Sequence, residues 1–247
     1  MKMRIKAIAT DLDGTLVDEK YEIASVAVEA VRRAERLGTP VITATARPVE
    51  HVEDFIRRYD LNTSGPIIAE NGGVVKDRRT DKEIILGSVE KAKKAYEAVK
   101  SRVRGLEPFP LPDSPYYVQR RTDVQLKGDT EALNGLLQMM ANSKLDANVT
   151  YAPLIGQPGQ FLIFIKDPRA DKGSGLKAAA KMLGISIREV AAIGDSANDF
   201  RMFEVSGFGI AVENADDELK EKADLVVKGV YGEGAAKAFD YILRNLI

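Results

Sequence analysis

The chain has 247 residues, of which 45% are hydrophobic and 30% charged, and a formal net charge of -1. That length buries a real core in one large domain or two modest ones; the balance excludes a disordered chain and gives no general pull toward nucleic acid or an anionic membrane. With no cysteine, a disulfide framework, zinc–thiolate sites and thiol catalysis are excluded together.

The run "IKAIAT" (5–10) predicts a buried strand. A polar loop over 11–21 follows, then a helix in "IASVAVEAVRRAERLG". There Val28, Val31, Ala34 and Leu37 share a face and Gly38 is a natural stop. "PVITAT" (40–45) predicts a second strand. "VEHVEDFIRRYDL" predicts an amphipathic helix with Val49, Val52, Phe55 and Ile56 on its apolar side, and "GPIIAENGG" (65–73) a short strand ending in a Gly-Gly turn.

From 79 to 169 the pattern changes. "EIILGS" predicts a strand, "VEKAKKAYEAVKSRV" a helix and "EPFPLPDSPYY" a Pro-rich loop. "YYVQRRTDVQLKG" alternates as strands do, "TEALNGLLQMMANSKL" is helical, and "NVTYAP" and "QFLIFIK" are strands. This block reads as an α+β insert. Beyond it, "IREVAAIGDSANDFRMFEVSG" repeats the strand–loop–helix pattern, "FGIAV" and "ADLVV" predict strands, and "GEGAAKAFDYILRNLI" predicts a last helix. The expected architecture is therefore α/β: a Rossmann-like parallel-sheet core over 1–78 and 170–247, and a smaller α+β domain inserted at 79–169.

The opening "MKMRIKAIATDLDG" holds an apolar run too short for a signal peptide, and no run nears the roughly 20 apolar residues of a membrane span, so a cytoplasmic protein is expected. The absence of Cys and Trp beside abundant Lys, Arg and Glu points toward a thermophile.

The polar clusters fall at the C-terminal ends of the predicted core strands, where open α/β sheets place their ligands. They are Asp11-Leu12-Asp13-Gly14-Thr15, Thr45-Ala46-Arg47 and Gly194-Asp195-Ser196-Ala197-Asn198-Asp199, with Lys172-Gly173 opening a helix between insert and core. Singly, each has an ordinary structural reading: Asp13-Gly14 a turn, Ser196 to Asp199 a helix-start capping box, Lys172 a solvated lysine. His51, the single histidine, sits on a charged helix face and is assigned no role. Together they place Asp11, Asp13, Asp195 and Asp199 on one sheet edge. Two like charges about 4 Å apart repel by about 4 kcal/mol at an effective dielectric of about 20, so the cluster needs a cation. Oxygen ligands without Cys or His suit a hard ion, Mg²⁺. Lys172 and Thr45 beside it make a site for a phosphoryl dianion.

In this order, D-L-D-G-T, T-A-R, D-K-G-S-G and G-D-S-A-N-D resemble the four motifs of the haloacid dehalogenase superfamily of phosphatases. The insert resembles the α+β cap of its Cof-like, type II members. "GPIIAENGG", "DKGSGLKAAAKMLGI" and "YGEGAAKAFDYIL" resemble the archaeal phosphoglycolate phosphatase family. One position departs: many relatives carry Gly where Ala46 stands, and a site needing positive φ would be strained by Ala.

The resemblance implies Asp11 as nucleophile, forming an aspartyl-phosphate, and Asp13 as general acid and then general base. It implies Mg²⁺ held by Asp11, the Asp13 carbonyl, Asp195 and Asp199, with Thr45, the Ala46 N–H and Lys172 on the phosphoryl oxygens and Asn198 supporting the loop. The cap is expected to close over the phosphate site and choose the substrate, and Arg120, Arg121 and Lys127, on its predicted sheet, are candidates for reading a small carboxylate. The expected partner is a small phosphorylated metabolite, phosphoglycolate first, with no nucleic acid and no membrane; a homodimer is compatible. A sugar-phosphate or mannosyl-3-phosphoglycerate phosphatase, a phosphomutase and a non-catalytic binding protein are the competing readings. An aspartyl-phosphate cation pump is set aside because no membrane span is present.

Overall fold

The first apolar run forms β1 (Ala7–Thr10), with all four residues buried. The computed structural model describes residues 4–111, 113–154 and 157–247. Helix α1 (Ser25–Arg36) buries Val31 and Ala34 of the predicted stripe, with Ala27 and Ala30 in place of Val28 and Leu37. Val28 is half-buried and Leu37 is 64% exposed. The stripe turns by one residue because the C-terminal helix comes very close: a Cβ on its Gly232 would lie 3.2 Å from the Ala27 Cβ. Only small side chains fit there. Gly38 ends the helix with φ +77°, as its position predicts.

Next come β2 (Val41–Ala44), fully buried, and α2 (Val49–Arg58), which buries the predicted Val49, Val52, Phe55 and Ile56. β3 (Ile67–Ala69) ends in a tight turn over Glu70–Gly72, and the chain doubles straight back as β4 (Val74–Asp77), antiparallel to β3. β5 (Lys82–Ile85) then lies beside β4. The start of the run 83–88, expected to open the insert, thus belongs to the edge strand of the core sheet. A hairpin partner a few residues away captures it, and its four exposed residues carry no alternation that would have revealed this. The chain divides into two compact units, Met1–Ile84 with Asp171–Ile247, and Ile85–Ala170.

The inserted unit contains α3 (Val89–Val99), β6 (Glu107–Pro108), β7 (Asp123–Asp129), α4 (Thr130–Ala141), β8 (Asn148–Pro153) and β9 (Gln160–Lys166). Its sheet runs β6-β7-β9-β8, antiparallel throughout. Alternation in β7 and β9 sends Leu126, Ile163 and Ile165 to the face that packs on Ala95 and Val99 of α3 and Leu133 and Leu136 of α4. The Asp129 side chain caps α4, accepting the Ala132 N–H at 2.8 Å.

The alternation predicted from 116 becomes strand only at Asp123. Arg120 turns back, donating to Asp123 Oδ2 at 2.8 Å and to Gln125 Oε1 at 2.9 Å, with its guanidinium over Phe164. An extended chain would put residues 120 and 123 about 10 Å apart on opposite faces. Arg120 is therefore a packed ion-pair partner, with a side chain 10% exposed. Lys127 pairs with Glu107 at 3.2 Å. Arg121 precedes the strand.

The chain re-enters the core through α5 (Lys172–Leu183), capped by Asp171, whose carboxylate accepts the Ser174 N–H at 2.9 Å. β10 (Val190–Gly194), α6 (Phe200–Val205), β11 (Phe208–Ala211), α7 (Asp217–Lys222), β12 (Leu225–Val226) and α8 (Tyr231–Asn245) complete it. The eight strands run β12-β11-β10-β1-β2-β3-β4-β5. β1 lies parallel to both β2 and β10. The chain builds to one side of β1 first and to the other side later. Such a reversal leaves a crevice outside the carboxyl ends of the central strands. Among the described residues no helix is long and apolar enough to cross a membrane.

Candidate active site

Strand register assembles the site. Thr10 pairs with Ile193 on one side and Thr43 on the other, so the residues just beyond emerge at one sheet edge. The Asp11 N–H donates to the Ile193 carbonyl at 3.0 Å, and the Thr45 N–H to the Ile68 carbonyl at 2.9 Å. The loop after Asp11 curls tightly, with the Leu16 and Val17 N–H groups donating to the Leu12 carbonyl at 2.9 and 2.8 Å. Gly14, at φ +89°, lies flat against Asp195: a Cβ there would sit 2.3 Å from Asp195 Oδ2. The Asp-Gly pair is thus a turn, as its ordinary reading holds, and also the clearance for a second carboxylate.

Asp195 Oδ1 accepts the Thr15 hydroxyl at 2.7 Å. Asp199 is fully buried; its Oδ2 accepts the Asp195 and Ser196 N–H groups at 3.0 and 3.2 Å. The capping box read in Ser196 to Asp199 is present, and the same carboxylate also faces the site. Lys172, 3% exposed at the start of α5, reaches Asp11 Oδ1 at 2.9 Å and Asp199 Oδ1 at 2.7 Å.

Carboxylate oxygens of Asp11, Asp195 and Asp199 lie within 4.8 Å of one another. Three acids thus face one buried ammonium. Burial pushes the Asp11 carboxyl up to about 7; Lys172 opposes this, and Asp199 and Asp13 add to it. Asp195 is likewise raised well above the ordinary carboxylate range, by burial first and then by Asp11 and Asp199. Burial would lower the Lys172 ammonium, but Asp11 and Asp199 outweigh it and hold it above its usual value. The cluster is short of positive charge and offers only oxygen. That donor set fits a hard divalent cation on Asp11, Asp195 and Asp199.

Asp13 has a different partner. Its carboxylate takes a two-pronged contact from Arg47, with Nε 2.9 Å from Oδ2 and Nη2 on Oδ1. Thr45 is buried at the end of β2, and its Oγ1 accepts the Arg47 N–H at 3.2 Å. Ala46 is not among the described residues with positive φ, so the strain foreseen for Ala in place of Gly does not arise. Asn198 is half-buried in the turn Ala197–Asp199. Sequence reasoning gave no role to Thr15 or Asn214. Asn214 joins the Gly14 carbonyl (2.8 Å) to the Tyr231 N–H (2.7 Å), a link across 200 residues of chain that no local pattern signals.

A buried aspartate just past the central strand of a mostly parallel sheet, paired with a lysine and close to two more acids, marks an α/β protein with an aspartate-centred site at its switch point. The family model of the haloacid dehalogenase-like hydrolases matches residues 8–106 and 119–239, and the chain belongs to that family. It is 37% identical over 241 residues to a phosphoglycolate phosphatase of Archaeoglobus fulgidus, covering 96% of each chain. It is 34% identical over 234 residues to one of Methanothermobacter thermautotrophicus, covering 95% of this chain and 97% of that relative. Its reaction class is phosphoric monoester hydrolysis. A solved structure from Thermoplasma acidophilum has the same fold, with TM-score 0.82 and 23% identity over 97% of this chain and 99% of that one.

Proposed function

We propose that the protein hydrolyses 2-phosphoglycolate to glycolate and phosphate, with Mg²⁺, through an aspartyl-phosphate on Asp11. The observation that carries the chemistry is the buried Asp11–Lys172–Asp199 cluster at the end of β1. Support for the substrate is the full-length similarity to two proteins named phosphoglycolate phosphatase.

In this reading Asp11 is the nucleophile, its carboxylate attacking phosphorus in line, and Lys172, 2.9 Å from it, offsets the repulsion between this anion and the phosphoryl dianion. Thr45 and the Ala46 N–H hold the non-transferring oxygens, and Asn198 supports the loop that carries Asp199. Asp13 gives a proton to the departing alkoxide oxygen and later takes one from the attacking water. Asp11, Asp195, Asp199 and the Asp13 carbonyl would hold Mg²⁺, which supplies charge neutralisation at the phosphoryl oxygens. Selection of the leaving group is assigned to the inserted unit.

The test is phosphate release from a panel of phosphoglycolate, phosphoglycerates and sugar phosphates, with Mg²⁺ and with EDTA, on wild type and Asp11→Asn. Release that peaks on phosphoglycolate, needs Mg²⁺ and is lost in the variant is expected. A peak on a sugar phosphate would overturn the substrate alone. An isomeric ester in place of inorganic phosphate, seen by ³¹P NMR, would overturn hydrolysis.

A further inference from the structure

We propose that Arg47 is the positioning residue for Asp13, fixing the plane of its carboxylate for proton transfer. This rests on the acid–base reading of Asp13 given above.

Asp13 stands on a loop, and its side chain is 33% exposed. Two rotatable bonds would otherwise leave its oxygens unoriented. The Arg47 fork removes that freedom, with Nε on Oδ2 at 2.9 Å and Nη2 on Oδ1. The fork itself is held. Its guanidinium lies over the Phe55 ring at 5.4 Å and the Tyr21 ring at 6.0 Å. Its backbone is fixed on both sides, the N–H donating to Thr45 Oγ1 at 3.2 Å and the carbonyl accepting the Glu70 N–H at 3.0 Å. A planar guanidinium suits this role and an ammonium does not, because only the fork sets an orientation. Each carboxylate oxygen keeps a second lone pair for the proton it gives or takes.

In the first half-reaction an Asp11 oxygen bonds to phosphorus while the ester P–O bond breaks. The departing oxygen keeps that electron pair and takes the Asp13 proton. In the second, Asp13 takes a proton from water as its oxygen bonds to phosphorus; the Asp11 O–P bond breaks and inorganic phosphate leaves. Orientation of Asp13 matters most in the first step when the leaving group is a poor one, an alkoxide. It matters little for nitrophenolate, which leaves without protonation.

The experiment compares kcat/KM on the best alkyl phosphomonoester of the panel with kcat/KM on p-nitrophenyl phosphate. The proteins are wild type, Asp13→Asn, Arg47→Lys, Arg47→Gln and the Asp13→Asn/Arg47→Gln double variant. Asp13→Asn is expected to lose about 10²–10⁴-fold on the alkyl ester and far less on the nitrophenyl ester. Arg47→Gln is expected to lose at least ~10-fold more on the alkyl ester than on the nitrophenyl ester, and to add less than about threefold in the Asp13→Asn background. Arg47→Lys, which keeps the charge and most of the stem, shows the same selectivity and serves if the Gln variant does not fold. Equal losses on both esters in the Arg47 variants, with Asp13→Asn still selective, would overturn the inference alone. An unselective Asp13→Asn would overturn the role of Asp13, and the inference with it.

Discussion

Replacing Asp11 by Asn removes a buried titration, and the stability of the metal-free protein reports it. The Asp11 carboxyl is raised from 3.8 to about 7, by burial before all else. Between those values the folded protein holds a proton that the unfolded chain has released. The unfolded state then binds fewer protons, so stability falls as pH rises through that window and levels off above it. Three pH units at about 1.4 kcal/mol each give a loss of about 4 kcal/mol. Asp195 is raised first by burial and then by Asp11, and loses that second contribution in the variant, which adds to the drop; Asp77 and Asp167, lowered against their burial by Arg79 and Arg169, act in the opposite direction in both proteins and cancel. The assay is urea unfolding of wild type and Asp11→Asn in EDTA at steps from about pH 4 to about pH 8. The stability of wild type relative to the variant is expected to drop by at least about 4 kcal/mol across that range, and saturating Mg²⁺, which favours the ionised form, to shrink the drop. Parallel curves, or a drop indifferent to Mg²⁺, would refute the reasoning.

Lys172→Met leaves Asp11 and Asp199 buried without their cation and is expected to cost about 3–5 kcal/mol in urea unfolding; a change below about 1 kcal/mol would contradict the geometry at 2.9 and 2.7 Å. Gly14→Ala puts a methyl 2.3 Å from Asp195 Oδ2 on a backbone at φ +89°. It is expected to raise the Mg²⁺ concentration needed for half-maximal activity at least ~10-fold, the equivalent of about 1.4 kcal/mol of backbone strain; an unchanged Mg²⁺ titration would count against Asp195 as a ligand. Arg120→Ala is expected to destabilise the protein by about 1.5–3 kcal/mol, because it removes a two-pronged charged contact to Asp123, which is 1% exposed. A raised KM for phosphoglycolate without loss of stability would instead restore the carboxylate-reading role.

The site was legible where its residues travel together. Asp11 and Asp13, or Asp195 and Asp199, sit in short stretches after apolar strands, and a parallel sheet delivers strand ends to one edge. What pairs across distance was not. The partner of Asp13 stands 34 residues away, and Thr15 finds Asp195 across 180. Short-range pattern carries no signal for either. The same limit explains the fold. The face of α2 was read correctly because Val49, Val52, Phe55 and Ile56 are large and apolar. That of α1 was read only in part, Val31 and Ala34 but not Ala27 and Ala30, because its buried surface is mostly alanine, selected by the approach of Gly232. β5 has no buried face to advertise it, so its place in the core sheet depends on a hairpin rather than on periodicity. Arg120 looked like a strand residue on display until its link to Asp123 showed a bend.

The central claim is that phosphorus passes through Asp11. The direct measurement is rapid acid quench of the Mg²⁺-loaded enzyme during turnover of ³²P-labelled phosphoglycolate, followed by borohydride reduction and peptide mapping. The account predicts label on the enzyme within the first turnover and reduction of Asp11 alone, with neither seen in Asp11→Asn. Turnover without labelled enzyme, or reduction at another acid, would contradict it.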